Sequence, residues 1–258
     1  MMCMDGFLLT HASERVDIPA LGQVDAFLPR YEPRQVLDPA EPVSIGAMVG
    51  PEAFTEVRYL GHARMQQALG VITAVQADFS AEFGRPSGRP SGGLVRPYQT
   101  DDADIVVVAM GSVLGTVKDA VDELRATGMK IGVLGITTFR PFPADAVREA
   151  LGTRRVVVLE RALAPGTGGI VTADIRMALA GPPRISTVIA GLGGRAVTRK
   201  SLSAMLARAA GELEPLTFLD LDTSLVDREL ARMRTTRRSG PSPENMLRDL
   251  GITASRIG

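Results

Sequence analysis

The sequence predicts an α/β protein, a three-layer sandwich in which helices cover both faces of a mostly parallel sheet. Two observations predict it. Between residues 104 and 210, four short and continuously apolar segments alternate with segments whose apolar residues recur every three or four positions. The chain has 258 residues, 45% of them hydrophobic, which is enough for one sizeable core. An extended arm and a helix are expected before this unit.

The apolar segments predict four strands, because continuous apolar strands are those that a parallel sheet buries on both faces. The predicted strands cover residues 104–110, 130–136, 154–160 and 184–190. The predicted helices between and after them cover residues 115–128, 143–151, 169–181 and 197–211. Right-handed crossovers place such helices on the two faces of the sheet.

The flanking segments have a different composition. Prolines recur between residues 19 and 51, which predicts an extended arm without regular helix whose apolar residues need a neighbouring surface. One long amphipathic helix is expected from residue 54 to 83, followed by a Gly-, Pro- and Ser-rich linker. The expected organisation is an arm (1–57), a helix and linker (58–97), the α/β domain (98–212), and a C-terminal helix and tail (213–258).

Composition excludes several classes of function. Lys+Arg and Asp+Glu both number 29, so no net charge attracts nucleic acid or an anionic membrane surface. One cysteine and two histidines predict neither a disulfide, an iron–sulfur cluster nor a zinc site on this chain, and therefore no metal site. No apolar run is long enough to cross a bilayer and no secretory signal is recognisable, so we expect a cytoplasmic location.

Ligands of open parallel sheets bind beyond the carboxyl ends of the strands, and the loops there supply the candidate residues. As binding or interface candidates we select Gly111, Ser112, Arg140, Arg161, Gly191 and Gly193. No nucleophile lies beside a suitable base, so the sequence predicts no catalytic residue, and cofactor-binding residues stay undefined.

Each loop has alternative interpretations. Ser112 can cap the following helix or leave its N–H to meet an anion, and the cap is favoured. Arg140 can grip a carboxylate or phosphate, or pin its loop to a neighbouring domain, which its flanking prolines favour. The loop after Glu160 lacks the lysine of a nucleotide P-loop. The loop at Gly191 satisfies G-x-G-x-x-A but follows the last clear strand, which disfavours NAD binding.

Six blocks in this order resemble the alpha subunit of the pyruvate and 2-oxoacid:ferredoxin oxidoreductases. They are CMDGFLLTH, FLPRYEPR, DDADIVVVAMGSVLGTVKDAVDELR, GITTFRPFP, VVVLERALAPGTGG and VIAGLGGRAVT, and the resemblance runs from about residue 4 to residue 207. The resemblance implies an α/β domain like the carboxyl-terminal domain of transketolase. It also implies an enzyme that decarboxylates a 2-oxoacid on thiamine diphosphate, passes electrons through iron–sulfur clusters to ferredoxin, and transfers the acyl group to coenzyme A.

Alpha subunits of this family carry a pyrimidine-side domain before the DGF block, and here that block stands at the start of the sequence. The resemblance therefore implies a non-catalytic piece, with an arm that is the remnant of that domain and with no activity alone. Thiamine diphosphate and iron–sulfur clusters are expected on partner chains and none on this chain. The expected partners are a beta subunit, the missing amino-terminal half of the alpha subunit, a ferredoxin-like subunit and ferredoxin. A non-enzymatic assembly or regulatory module, and a small-molecule binder that uses the Gly-rich loops, remain alternatives.

Overall fold

The predicted strands form one sheet in a computed structural model of the chain. The structure describes residues 1–6, 9–13, 15–33, 35–44, 46, 48–84, 93–179, 184–211, 213–235 and 242–252. The chain divides into two compact units, Met1–Thr217 and Phe218–Gly258. In the described part of the chain, no helix has the length and apolar character needed to span a membrane.

Six strands make up the sheet in the order β1-β3-β2-β4-β5-β6. Their bounds are β1 (Val95–Tyr98), β2 (Ile105–Ala109), β3 (Ile131–Ile136), β4 (Arg155–Glu160), β5 (Ile185–Ile189) and β6 (Leu216–Phe218). Neighbouring pairs among β3, β2, β4 and β5 are parallel, whereas β1 is antiparallel to β3. The mostly parallel sheet confirms the predicted fold class.

The described residues form the helices α1 (Leu21–Phe27), α2 (Phe54–Glu82), α3 (Val113–Ala126), α4 (Ala144–Leu151), α5 (Ile170–Ala178), α6 (Arg199–Ala207), α7 (Thr223–Thr235) and α8 (Ser242–Asp249). Helices α3 to α6, which alternate with the parallel strands, occupy the two faces of the sheet. Helices α3 and α6 pack together, and so do α4 and α5. Val106 and Val108 of β2 share one buried cluster with Val147 of α4 and Ile175 of α5, as the alternation of side chains along a strand requires. This alternation gives the sheet a helical layer on each face.

The arm contains a helix that the proline pattern did not predict, so the expectation of no regular helix there was wrong. Helix α1 fits between Pro19 and Pro29, in a stretch without proline. Its first turn is closed by the side chain of Gln23, whose Oε1 accepts from the Ala20 N–H at 3.3 Å. Phe27 at its end packs edge-on against Phe79 and Phe83, with ring centroids 5.7 and 5.3 Å away.

Three further elements differ from the expected organisation. Strand β1 lies within the segment expected to be linker, most of which (85–92) falls outside the described residues. Strand β6 and helix α8 were not predicted, and α8 lies in the segment expected to be a tail. Both β1 and β6 are short edge strands, and short edge strands have little periodicity from which to predict them.

Arginines hold the amino-terminal edge of the sheet to the ends of the helices. The Arg155 Nη1 at the start of β4 donates to the carbonyls of Ala209 and Gly211, at 2.6 and 2.7 Å, just beyond α6. The Arg154 Nε donates to the Ala103 carbonyl at 3.0 Å. These guanidinium groups donate hydrogen bonds to carbonyl oxygens that lie outside the regular hydrogen bonding of a helix or strand.

Candidate functional site

The carboxyl ends of β2, β4 and β5 lie side by side, and the loop after β2 binds a carboxylate of the arm. The Ser112 N–H donates to the Oδ2 of Asp5 at 2.8 Å, across 107 residues of sequence. Gly111 has a φ of +78°, and a Cβ there would lie 3.3 Å from the Asp5 Oδ1. A glycine at this position therefore allows both the left-handed turn and the close approach of the carboxylate.

Ser112 occupies the N-cap position of α3, but its side chain does not cap the helix. Hydrogen bonds from the Ser112 hydroxyl and N–H, together with the charge of Arg161, hold the pKa of the Asp5 carboxyl below its usual 3.8. They outweigh partial burial, which acts in the opposite direction. The favoured cap at Ser112 is thus wrong as a side-chain cap, and the anion that this loop meets is Asp5.

Arg161, which follows β4, lies between this carboxylate and the loop after β5. A Cβ on Gly191 would stand 3.2 Å from the Arg161 Nε and 3.2 Å from the Val197 Cγ2. The buried Gly191 therefore leaves room for the Arg161 side chain to lie against the loop. The guanidinium favours the ionised form of Asp5, so one charge on the arm is balanced by one charge on the domain.

A second carboxylate of the chain closes the amino end of α5. Glu160 ends β4, and its Oε2 accepts from the Val171 N–H at 2.8 Å. Its Oε1 accepts from the Thr172 N–H at 3.1 Å and the Thr172 hydroxyl at 2.8 Å. The Thr172 and Thr187 hydroxyls are 2.9 Å apart, so the network reaches β5. Because the positive end of the helix dipole faces this buried carboxylate, Glu160 is compensated within the chain.

A third pairing involves Arg140 in the loop after β3. Its Nη2 lies 3.1 and 3.0 Å from the Oδ1 and Oδ2 of Asp174 on α5, and its Nη1 donates to the Phe139 carbonyl at 2.8 Å. The guanidinium carbon lies 4.0 Å from the centroid of the Phe139 ring, a cation–π contact. Arg140 thus ties its loop to a helix of its own domain.

The structure brings together four of the six predicted residues: Gly111, Ser112, Arg161 and Gly191. Arg140 is held separately by Asp174. A Cβ on Gly193 would meet no heavy atom within 4 Å, and this glycine has a φ of +64°, the left-handed conformation of its turn. Whether any of the six contacts a ligand or another chain stays a prediction.

Two of the three carboxylates, Asp5 and Asp174, were not singled out from the sequence. Asp5 is the acidic residue of the DGF block, and that block was the only signal for it. Glu160 ends an apolar strand. A carboxylate in that position can indicate a group that accepts hydrogen bonds from the amino end of the next helix. Asp174 lies on a helix and carries no distinguishing pattern.

A cavity of about 220 Å³ lies between the amino end of α5, β5 and the start of β6. It is lined by Thr167, Gly168, Gly169, Thr172, Ala173, Arg176, Thr187, Pro215 and Leu216. Gly168 and Gly169 of the loop after β4 line it, but neither Gly111 nor Gly191 does, so this cavity does not correspond to a small-molecule site at the loops of those two glycines.

Residues 1–77 lie outside the hydrophobic core of the chain. Every hydrophobic residue of the core lies beyond residue 100, and the described part of 1–77 contributes no buried residue. Among the described residues there is no group of three or more His, Cys, Asp or Glu side chains placed to hold a metal ion.

Comparison with known proteins gives two family matches in the order of the chain. The thiamine diphosphate-binding model of the pyruvate flavodoxin/ferredoxin oxidoreductases matches residues 1–77, and the pyruvate:ferredoxin oxidoreductase core domain II model matches residues 103–202. Subunit PorA of pyruvate synthase from Methanothermobacter thermautotrophicus is 37% identical over 222 residues. The corresponding subunit from Methanosarcina barkeri is 40% identical over 236 residues.

The chain belongs to the family of 2-oxoacid:ferredoxin oxidoreductase alpha subunits. These alignments cover 86% and 88% of this chain but only 56% and 58% of the two relatives, so the chain spans little more than half their length. Among solved structures, the 2-oxoglutarate:ferredoxin oxidoreductase from Magnetococcus marinus matches 53% of this chain and 23% of its own chain. Its identity is 20% and its TM-score 0.40. The family assignment confirms the resemblance carried by the six sequence blocks.

Proposed function

We propose that the chain serves as a non-catalytic part of a thiamine diphosphate-dependent 2-oxoacid:ferredoxin oxidoreductase, contributing core domain II and the arm that precedes it. The assembled enzyme would convert a 2-oxoacid and coenzyme A to an acyl-CoA and carbon dioxide, with electrons passed to ferredoxin. Pyruvate is the substrate to test first, because both relatives described above are pyruvate synthase subunits.

One observation carries the non-catalytic role: the chain's own carboxylates occupy the positions where an α/β sheet would bind an anionic substrate. Asp5 accepts from the loop after β2, Glu160 closes the amino end of α5, and Asp174 pairs with Arg140. A 2-oxoacid would have to displace one of these carboxylates to reach the same donors. The domain is therefore better suited to assembly than to chemistry.

The arm supports a role in assembly. Ile18 and Tyr31 are 80% and 83% exposed, although both side chains are apolar enough to favour burial. We propose that they pack against other polypeptide of the oxidoreductase, where the thiamine diphosphate site is also completed. Thiamine diphosphate supplies the carbanion chemistry when it is bound there. On partner chains we propose iron–sulfur clusters, with a beta subunit and a ferredoxin-like subunit as partners and a cytoplasmic location.

The test compares the chain alone with the complex it forms. The tagged 258-residue chain is purified from its native cells, and the partner chains are identified by mass spectrometry. Coenzyme A-dependent reduction of a viologen dye is then measured with pyruvate, 2-oxoglutarate and a branched 2-oxoacid. We expect turnover only in the complex and no calorimetric binding of thiamine diphosphate by the chain alone. Turnover by the isolated chain, or a recovered complex inactive on every 2-oxoacid, would contradict the proposal.

A pair of variants separates assembly from folding. Ile18→Ser combined with Tyr31→Ser should reduce the recovery of partner chains while leaving the unfolding temperature of the chain unchanged, because neither side chain is buried in it. Glu32→Ser, an exposed polar neighbour, is the matched control and should recover the partners normally. Equal recovery from both variants would show that the arm is not the assembly surface.

A further inference from the structure

The cavity between α5, β5 and the start of β6 has no role in the function proposed above. Its volume is about 220 Å³. Because a water molecule takes up about 30 Å³ of the liquid, a compound of roughly six to eight non-hydrogen atoms would fill it. Ala173, Pro215 and Leu216 give part of its wall an apolar character. The cavity therefore has the size of a site for one small organic molecule.

Two threonine hydroxyl groups in the cavity wall have a definite order of donors and acceptors. The Thr172 hydroxyl donates its single proton to the Oε1 of Glu160 at 2.8 Å. The Thr187 Oγ1 lies 2.9 Å from the Thr172 Oγ1, so it is Thr187 that donates in this second hydrogen bond. Thr187 is only 2% exposed, and its oxygen keeps acceptor lone pairs but no further proton. A ligand beside Thr187 should therefore donate a hydrogen bond to it.

Arg176 supplies a positive charge to the same cavity. It lies four residues after Thr172, so the two side chains are on the same side of α5. Its guanidinium group forms no ion pair or hydrogen bond with any residue that the structure describes. A guanidinium group binds a carboxylate through two parallel hydrogen bonds. Arg176 is therefore available to bind a carboxylate of the ligand.

The charges around the cavity limit the ligand to one negative charge. The N–H groups of Val171 and Thr172 at the amino end of α5 already donate to Glu160, so this helix end offers them to no further anion. The Glu160 carboxylate also lies directly behind Thr172 and repels a second negative charge. One guanidinium group balances one carboxylate. These features favour a monocarboxylate over a phosphate dianion.

We propose that this cavity binds a small 2-hydroxy acid or α-amino acid, a monocarboxylate with a hydrogen-bond donor on the carbon beside its carboxyl group. The carboxylate pairs with Arg176, the hydroxyl or ammonium group donates to the Thr187 Oγ1, and a short apolar side chain contacts Pro215 and Leu216. A 2-oxoacid carries a carbonyl oxygen in place of the donor, and Thr187 could donate to it only by giving up its hydrogen bond to Thr172. The site therefore discriminates against 2-oxoacids, and it is independent of the enzymatic role proposed above.

Three compounds that differ only at the second carbon test the proposal. The full chain, labelled with ¹⁵N, is titrated with L-lactate, L-alanine and pyruvate, and the amide shifts of Gly169 and Thr187 are followed by NMR. We expect lactate or alanine to bind with a dissociation constant on the order of 1 mM. Pyruvate should bind about three- to tenfold more weakly, because it lacks the donor. The tighter of lactate and alanine identifies the donor as hydroxyl or ammonium, and inorganic phosphate should not shift these amides.

Two variants assign the contacts. Arg176→Gln should weaken all three compounds roughly tenfold without changing the unfolding temperature, because the side chain is exposed. Arg58→Gln, the same change at an exposed position of α2, is the matched control and should leave binding unchanged. Thr187→Val should abolish the preference over pyruvate. The proposal is overturned by the absence of saturable shifts below about 10 mM, by tighter binding of pyruvate or phosphate, or by binding that Arg176→Gln does not weaken.

Discussion

Replacing Gly169 by alanine perturbs the carboxylate network that holds α5 on the sheet. The backbone at Gly169 has φ −81° and ψ 147°, which any residue adopts, so the substitution introduces no strain in the main chain. The new Cβ, however, would lie 1.8 Å from the Glu160 Oε1 and 2.9 Å from the Thr172 Oγ1. The Glu160 carboxylate therefore has to move, because the Gly169 backbone is held at the start of the helix.

The cost follows from what Glu160 loses. It accepts three hydrogen bonds from Val171 and Thr172, and the residue is only 5% exposed. Hydrogen bonds to a charged group contribute roughly 1.5–3 kcal/mol each and are not additive. Breaking a buried charged interaction costs about 3–5 kcal/mol, which we take as the expected destabilisation. For a domain of this size the unfolding temperature should fall by about 6–20 °C.

The assay is thermal and urea unfolding followed by circular dichroism, with Gly115→Ala as the control. Gly115 lies in α3, and a Cβ there meets nothing within 4 Å. This control should stabilise the chain by roughly 0.5–1 kcal/mol, because alanine favours helix more than glycine does. If Gly169→Ala unfolds within about 1 kcal/mol of wild type, the Glu160 network does not hold α5, and the reasoning is refuted.

Three further variants test other contacts. Asp5→Asn should speed hydrogen exchange of the Ser112 amide, which loses its acceptor. Because the pKa of Asp5 is lowered in the folded chain, this contact should stabilise the fold above about pH 3.8 and be lost as the pH falls through the lowered pKa. NMR titration of the Asp5 carboxyl group measures that pKa. Arg155→Gln should destabilise the chain by about 2 kcal/mol in urea unfolding through loss of two carbonyl contacts, whereas the exposed Arg208→Gln should not. Arg140→Ala should cost under about 1 kcal/mol, since its ion pair is half exposed, and a larger loss of thermal stability would contradict that account.

The repeating α/β unit could be predicted from the sequence because its signals are local. Each of the four predicted strands has its counterpart among β2, β3, β4 and β5, within one residue at each end. Continuous apolar segments and helical spacing are properties of neighbouring residues, so they are present in the sequence before any long-range contact forms. The positions of the loops at the carboxyl edge follow from the order of these elements. Helix α1 was missed because the surrounding prolines outweighed a seven-residue stretch between them.

The chemistry at that edge was decided only by the tertiary structure. Ser112 was predicted as a helix cap from its neighbours, but its N–H meets Asp5, which lies 107 residues earlier. Glu160 was visible at the end of a strand, yet only folding places it under the amino end of α5, where a buried carboxylate is stable. Local periodicity fixes which residues form strands and helices, whereas the partner of a charged side chain is fixed by how those elements pack in three dimensions.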